Sequence, residues 1–376
     1  MRFYKPHRSV LKINKTLRTF SKIVNKDSFN KQDLITMLNA DEEDQIMLFK
    51  KSREITDSLI GNKVHLRGLI EYSNICIKDC LYCGIRKSNK KTQRYTLSDE
   101  DVIQCARYAL KNNYGSIAIQ SGERTDKIFI SKISRLIKEI KKLSNGKLGI
   151  TLSLGEQTLE TYKEWFEAGA HRYLLRIETS NRELYAKIHP KNDLHNFDKR
   201  LEALQNIRNA DFQLGTGVMI GLPNQTIENL ADDLLFLKAL DVDMVGMGPY
   251  IEHFETPLSE TQDLLKSRQE RLDLTFKMIA TLRILMKDIN IVAATALQAI
   301  DKMGREKAIR YGANILMPNI TPVNYRNNYK LYQDKHCTEE NAADCNSCID
   351  ARMSMIGSEI GYNEWGDSRH FTNSKV

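Results

Sequence analysis

The chain has 376 residues, with 56 Lys+Arg against 48 Asp+Glu, 41% hydrophobic and 8% aromatic residues. That length holds one large domain with a substantial core, and a mean hydropathy of -0.45 with no apolar run of about 18 residues excludes a membrane-spanning helix. Seven cysteines, unevenly placed, do not make a secreted disulfide scaffold, and the composition fits a soluble intracellular globular protein.

The net charge of +8 is confined to the first residues. Arg2, Lys5, Arg8, Lys12, Lys15, Arg18, Lys22 and Lys26 all precede the first acid, Asp27, and the rest of the chain carries as many basic as acidic residues. No basic stripe with interleaved aromatics follows, so a nucleic-acid surface is not expected. Within the head, Val10, Ile13, Leu17, Phe20 and Val24 recur at helical spacing. An acid-free, basic, amphipathic helix of this kind is either an organelle transit peptide or a surface helix covering one end of the fold. Arg18-Thr19-Phe20-Ser21 resembles a matrix-peptidase cleavage site. The first reading implies a mitochondrial or hydrogenosomal matrix, the second a bacterial cytoplasm.

Beyond the head, strand-like runs alternate with helical patterns. Strands are expected at about 64–73, 116–122, 148–155, 172–179, 213–221, 244–250, 289–298 and 314–320. Helices are expected at 98–113, 127–144, 156–169, 181–188 with 197–210, 226–240, 265–287 and 304–312. Ser98 ahead of Asp99-Glu100-Asp101 is a cap followed by an acidic first turn. Eight β/α units in a row predict an α/β fold, a (β/α)8 TIM-type barrel. A doubly wound open sheet is the rival, but its glycine-rich phosphate turn is missing. The expected organisation is a head (1–20), N-terminal helices (21–60) against the bottom or side of the barrel, the barrel (61–325), and an irregular C-terminal cap with a Cys-rich segment (326–376).

Cys76-Ile77-Lys78-Asp79-Cys80-Leu81-Tyr82-Cys83 follows the first strand directly. Three thiolates on one short loop at the C-terminal mouth of a barrel can converge on one metal centre. The spacing C-x3-C-x2-C matches neither the common zinc pairs nor a redox C-x-x-C. Three cysteines suit three irons of a [4Fe–4S] cluster, with the fourth iron open to a ligand. His65 lies a whole strand upstream, a poor fourth ligand for structural zinc. Strand alternation adds a polar pocket, since Thr151 and Ser153 share one face, as do Arg176 and Glu178. The alternative for Arg176 and Glu178 is an internal salt bridge.

The cysteine motif after the first barrel strand resembles that of the radical S-adenosylmethionine enzymes. Arg67-Gly68-Leu69-Ile70-Glu71-Tyr72-Ser73-Asn74, Cys83-Gly84-Ile85-Arg86, Gln120-Ser121-Gly122-Glu123, Gly217 through Thr226, Met244 through Pro249 and Ala313 through Asn319 narrow the resemblance. Together they are similar to the HydE-type maturases of [FeFe]-hydrogenase, over about residues 21–370. The resemblance implies a [4Fe–4S] cluster on Cys76, Cys80 and Cys83 and S-adenosyl-L-methionine as cofactor, cleaved reductively to methionine and a 5′-deoxyadenosyl radical. It implies cofactor contacts from Tyr82 (adenine), Ser121, Gly122 and Glu123 (methionine), Ser153, Glu178 and Arg200 (methionine and ribose), and Gly217 and Gly221 (close backbone approach). Ser121 replaces the first glycine of the wider superfamily's Gly-Gly-Glu. Gln120, Thr151, Arg176, Thr295, Met317 and Tyr329 match the substrate side, with simple barrel packing as the alternative for Thr295 and Met317.

Cys337, Cys345 and Cys348 resemble an accessory cluster site present in part of the family, [2Fe–2S] or [4Fe–4S], with His336 as a candidate fourth ligand; zinc or no metal are the alternatives. Cys105 reads as a small core residue. The implied activity is in hydrogenase H-cluster assembly, on a cysteine-ligated iron carbonyl–cyanide precursor. The implied partners are the tyrosine-cleaving radical maturase, the GTPase scaffold maturase and a ferredoxin-like reductant. Biotin synthase and methylornithine synthase are same-superfamily rivals, and a non-catalytic iron–sulfur carrier is the rival from another class.

Overall fold

The computed structural model describes residues 20–335 and 342–374. Residues 1–19 of the basic head, together with His336 and Cys337, lie outside the described residues. Strands β1 (Lys63–Ser73), β2 (Ser116–Ser121), β3 (Gly149–Ser153), β4 (Arg172–Leu174), β5 (Gln213–Thr216), β6 (Met219–Ile220), β7 (Met244–Pro249), β8 (Asn290–Ala293) and β9 (Ile315–Leu316) follow in chain order. Eight of them close a parallel ring, β1-β2-β3-β4-β5-β7-β8-β9, with β9 pairing back onto β1 through His65 and Leu66. β6 prolongs the line of β5 beside β7, and β10 (Glu359–Ile360) adds to the lower end of β1.

The expected helices appear outside the ring with the capping chemistry the sequence carries. Ser98 and Asp101 form a reciprocal capping box on helix Asp99–Lys111, and Asp126 caps helix Lys127–Leu143 at the Phe129 N–H. In the latter helix Phe129, Ile133, Leu136, Ile137 and Ile140 are buried while the lysines between them face out. Each such apolar side chain contributes about 1.5–3 kcal/mol by leaving water. Helices Lys31–Leu38 and Glu42–Leu59 lie on the side of the barrel, against helices Ile227–Ala239 and Arg268–Leu285. Phe20 and Val24 are buried in that same apolar cluster.

Four expected strands end well short, all at the upper mouth; the expected run 314–320 is a ladder only at Ile315–Leu316, with an isolated bridge from Asn319 to Leu69 beyond it. The ladder of β4 stops at Leu174, leaving only an isolated bridge between Glu178 and Val218. The run 213–221 breaks at Gly217-Val218, and 289–298 leaves the sheet after Ala293 for a 3-10 turn at Thr295–Ala299. Gly217 explains its own break: a Cβ there would stand 1.8 Å from the Gly246 carbonyl oxygen. These departures splay the upper strand ends and open a cavity.

The C-terminal tail serves both ends of the barrel. Segment Asn327–Lys335 crosses the upper mouth as a strap, pinned by a buried ion pair between Lys335 and Glu71 and by the Gly84 N–H donating to Leu331 O at 2.9 Å. The segment around Trp365–Asp367 plugs the floor. There the Gly366 carbonyl accepts from Arg67 (3.1 Å) and Asn290 (2.9 Å), and Asp367 pairs with the fully buried Arg172. No helix among the described residues is long and apolar enough to cross a membrane.

Candidate active site

The loop leaving β1 is organised before any ligand is considered. Asn74 is buried, donates to Gln93 O (2.8 Å) and Asn328 O (2.6 Å), and accepts from the Tyr95 N–H. One guanidinium, that of Arg94, collects the carbonyls of Asn74, Ile85, Arg86 and Asn89 at 2.6–3.0 Å. On the inner side the loop rests on Gly122, where a Cβ would meet Ile75 O at 2.4 Å and Cys76 Cβ at 2.8 Å. Only glycine fits there. The Ile77 N–H donates to Glu123 O at 2.9 Å, and the Glu123 N–H donates to Cys76 Sγ at 3.3 Å.

Cys76, Cys80 and Cys83 therefore come to the cavity wall together. Burial raises all three thiols, Cys80 to about 12, with the charge of its neighbours adding to the effect. A buried thiol set of this kind becomes a thiolate set only when a cation replaces its protons. Among the described residues no three His, Cys, Asp or Glu side chains converge on a single-ion site; a cubane asks for one thiolate on each of three separate irons. The donor chemistry, the shared loop and the N–H donated to a ligand sulfur fit such a cluster.

Beside the thiols is a cavity of about 250 Å³. Of the residues expected in cofactor contact, Tyr82, Ser121, Gly122, Glu123, Ser153, Glu178 and Arg200 line it, and of the substrate set so do Gln120, Arg176 and Tyr329. The remaining five do not. Gly217 faces the Gly246 backbone, and Gly221 adopts φ +82 with the Arg271 side chain where a Cβ would point. The Thr151 hydroxyl accepts from Arg172 Nε at 3.0 Å, Thr295 opens the 3-10 turn, and Met317 packs against Met244, Val292 and Ile315.

Four charges alternate at one side of this cavity. Lys78 Nζ stands 3.1 Å from Glu123 and 2.8 Å from Glu156, while Arg200 stands 2.6 Å from Glu156 and 3.8 Å from Glu123. Burial disfavours the Arg200 charge, but the carboxylates of Glu156 and Glu123 outweigh it and hold the guanidinium protonated. The quartet is neutral as a whole, so a zwitterion can exchange into it without burying net charge. Across the cavity Arg176 pairs with Glu178 at 3.0 Å, and burial raises the Glu178 carboxyl against the pull of Arg176 and Arg200. Glu178 is also held at φ +67, a left-handed conformation that a non-glycine residue rarely adopts. Tyr82 stands edge-on to His189, ring centres 5.4 Å apart.

Sequence reasoning missed Lys78, Glu156 and Arg94, along with Tyr250, Ile251, Leu331 and Tyr332 of the wall. Lys78 alone had a signal, its place between Cys76 and Cys80. Cys105 is buried and donates to Ile320 O, as a core thiol does. In the tail, helix Ala342–Met355 carries Cys345 and an exposed Cys348.

The sequence profile of the Radical SAM superfamily matches residues 70–237. The chain is 44% identical over 320 residues to the [FeFe] hydrogenase maturase subunit HydE of Thermotoga maritima, covering 85% of this chain and 88% of that protein. It is 25% identical over 298 residues to 3-methylornithine synthase of Methanosarcina acetivorans, covering 78% and 81%. Among solved structures, methylornithine synthase PylB superposes with a TM-score of 0.76 at 22% identity, over 92% of this chain and 97% of that one. The maturase HydG from Carboxydothermus hydrogenoformans gives 0.78 at 20% identity, over 94% and 82%. At those identities the two structures speak for the barrel fold.

Proposed function

The chain belongs to the radical S-adenosylmethionine superfamily and, within it, to the HydE family of [FeFe]-hydrogenase maturases, and from that premise we propose how its residues divide the work. Cys76, Cys80 and Cys83 would hold a [4Fe–4S] cluster at the wall of the cavity that takes the cofactor. When bound, cluster and cofactor together supply a one-electron cleavage of the sulfonium, giving methionine and a 5′-deoxyadenosyl radical. The observation that carries the assignment is the thiol loop opening into the same cavity as Lys78, Glu123 and Arg200, whose charges Glu156 balances from behind.

Glu123 and Arg200 receive the amino and carboxylate groups of the cofactor, Ser153 adds a hydroxyl contact, and Tyr82 lies against the adenine. Glu178 accepts from the ribose hydroxyls, its carboxylate aimed by Arg176. The substrate side rests on Gln120, Arg176 and Tyr329, which share the cavity. Arg176 suits an anionic, cysteine-ligated iron carbonyl–cyanide precursor of the H-cluster. The strap carrying Tyr329 and Tyr332 keeps water from the cavity. Cys337, Cys345 and Cys348 would serve as an accessory second cluster site. The companion radical maturase, the GTPase scaffold maturase and a ferredoxin-like reductant are the proposed partners.

The test is anaerobic reconstitution with iron and sulfide, followed by S-adenosylmethionine and dithionite. Release of 5′-deoxyadenosine that is lost in Cys83→Ala is the expected result. A bound cluster without any release would replace the enzyme by an iron–sulfur carrier.

A further inference from the structure

On the outer side of the strap, Phe254 is 69% exposed, an aromatic left in water at the rim of a hollow of about 490 Å³. Three segments wall that hollow: Lys91–Gln93 beyond the cysteine loop, His253–Glu255 after β7, and the strap through Asn327, Asn328, Lys330 and Gln333. Its floor, at Lys330 and His253, lies over the residue that follows Cys83. Gly84, the residue after Cys83, is covered so closely that a Cβ would meet Lys330 O at 2.1 Å and His253 Nε2 at 2.7 Å.

The rim is rigid and basic. Asn89 ties the segments together, donating to Gly84 O at 2.7 Å and to Glu255 Oε2 at 3.1 Å. Around it Lys87, Lys90 and Lys91 are exposed, with Lys330 half-buried beside them. The acids nearby are Asp79, paired with Arg86 at 2.9 Å, Glu255, 3.4 Å from Lys91, and Glu252 and Asp334, which pair with Arg271 and Arg268. In a chain whose charge is balanced beyond residue 26, this is a local positive excess over the cysteine loop. An apolar anchor inside a charged rim is the usual anatomy of a protein-binding face, and the charge selects the sign of the partner.

We propose that this face docks a small acidic one-electron carrier protein, with Phe254 as anchor and Lys87, Lys90, Lys91 and Lys330 as its charged rim. The proposal rests on the reading of Cys76, Cys80 and Cys83 as cluster ligands. In the step served, the carrier is oxidised by one electron and the cluster reduced by one; no bond forms or breaks and no proton is transferred. The hollow brings the carrier over Gly84, one residue from Cys83, with the strap backbone at Lys330 and the His253 ring between them.

An acidic bacterial flavodoxin is a suitable probe. Oxidised flavodoxin is titrated calorimetrically into the full-length enzyme at low and high salt, beside Phe254→Ser and a Lys87→Glu/Lys90→Glu/Lys91→Glu variant. Binding weakened about tenfold in each variant, and in the wild type by salt, is the expected result. Reduced flavodoxin should then support 5′-deoxyadenosine release poorly in both variants, while dithionite supports it as in the wild type. No binding by the wild type, binding indifferent to both variants, or an equal loss with dithionite each overturns the proposal. A wild type that binds through this face yet releases nothing with dithionite upholds the docking face and refutes the cluster reading instead.

Discussion

Arg200 Nε stands 2.6 Å from Glu156 Oε1, a contact made on the side of the guanidinium away from the cavity, since Glu156 lines an outer hollow while Arg200 lines the inner one. Glu156 thus holds Arg200 from behind and leaves its far edge for a ligand. Glu123, at 3.8 Å, is too distant to fix it alone. Replacing Glu156 by Gln keeps the shape and removes the charge. The expected outcome is a KM for S-adenosylmethionine about tenfold higher, or about 1.4 kcal/mol of lost binding, with kcat little changed. Initial rates of 5′-deoxyadenosine release against cofactor concentration read this directly; a kcat loss at unchanged KM would refute the positioning role.

Asp233 supports Glu178 in a comparable way from helix Ile227–Ala239. Its Oδ1 accepts from the Ser180 N–H and the Ser180 hydroxyl, each at 2.6 Å, and from Thr179 at 3.4 Å. Those bonds fix the turn that follows the left-handed Glu178. Burial pushes the Asp233 carboxyl up to about 7, against the pull of the Ser180 bonds. The folded chain therefore keeps a proton that the unfolded chain has already released, and stability falls as pH rises from the ordinary carboxylate value through about 7. Asp233→Asn retains the acceptor and never ionises. Its melting temperature relative to wild type should rise steadily from about pH 4 to about pH 8, by roughly 1 °C for each kcal/mol of relieved penalty. A difference independent of pH would show that Asp233 is ionised without cost.

The barrel was legible because its signals are periodic and local: strands β1, β2 and β7 and the barrel helices follow from apolar spacing and caps such as Ser98 and Asp126, whereas helix Ala342–Met355 lies in a tail expected to be irregular. The cysteine loop was legible because its chemistry is written in adjacent residues. Strand ends were not: β4 stops at Leu174 and the chain turns to φ +67 at Glu178, a departure from extended backbone that residue propensity does not show. Gly217 and Gly221 were expected to bring backbone to the cofactor, yet they answer to Gly246 and Arg271, neighbours supplied by other parts of the chain. Thr151 shares its strand face with the expected pocket but is claimed by Arg172 from the floor. Glu156 and Arg94 carried no motif, since their roles exist only once segments distant in sequence are folded together.

Arg94 gives the sharpest separation between fold and site. Its guanidinium ties together the carbonyls of Asn74, Ile85, Arg86 and Asn89, which bracket the three cysteines on both sides. Each hydrogen bond from a charged donor contributes about 1.5–3 kcal/mol, and all four act on the loop rather than on the barrel ring. Lys at this position keeps the charge but cannot span four acceptors with one ammonium. Arg94→Lys should therefore leave the far-ultraviolet dichroism of the barrel unchanged while weakening cluster retention about tenfold, as the loss of a ligand-orienting shell does. Iron bound per chain after reconstitution and desalting, measured beside the wild type and Cys83→Ala, checks it. Full iron content in Arg94→Lys would mean that the thiols hold their geometry without this brace.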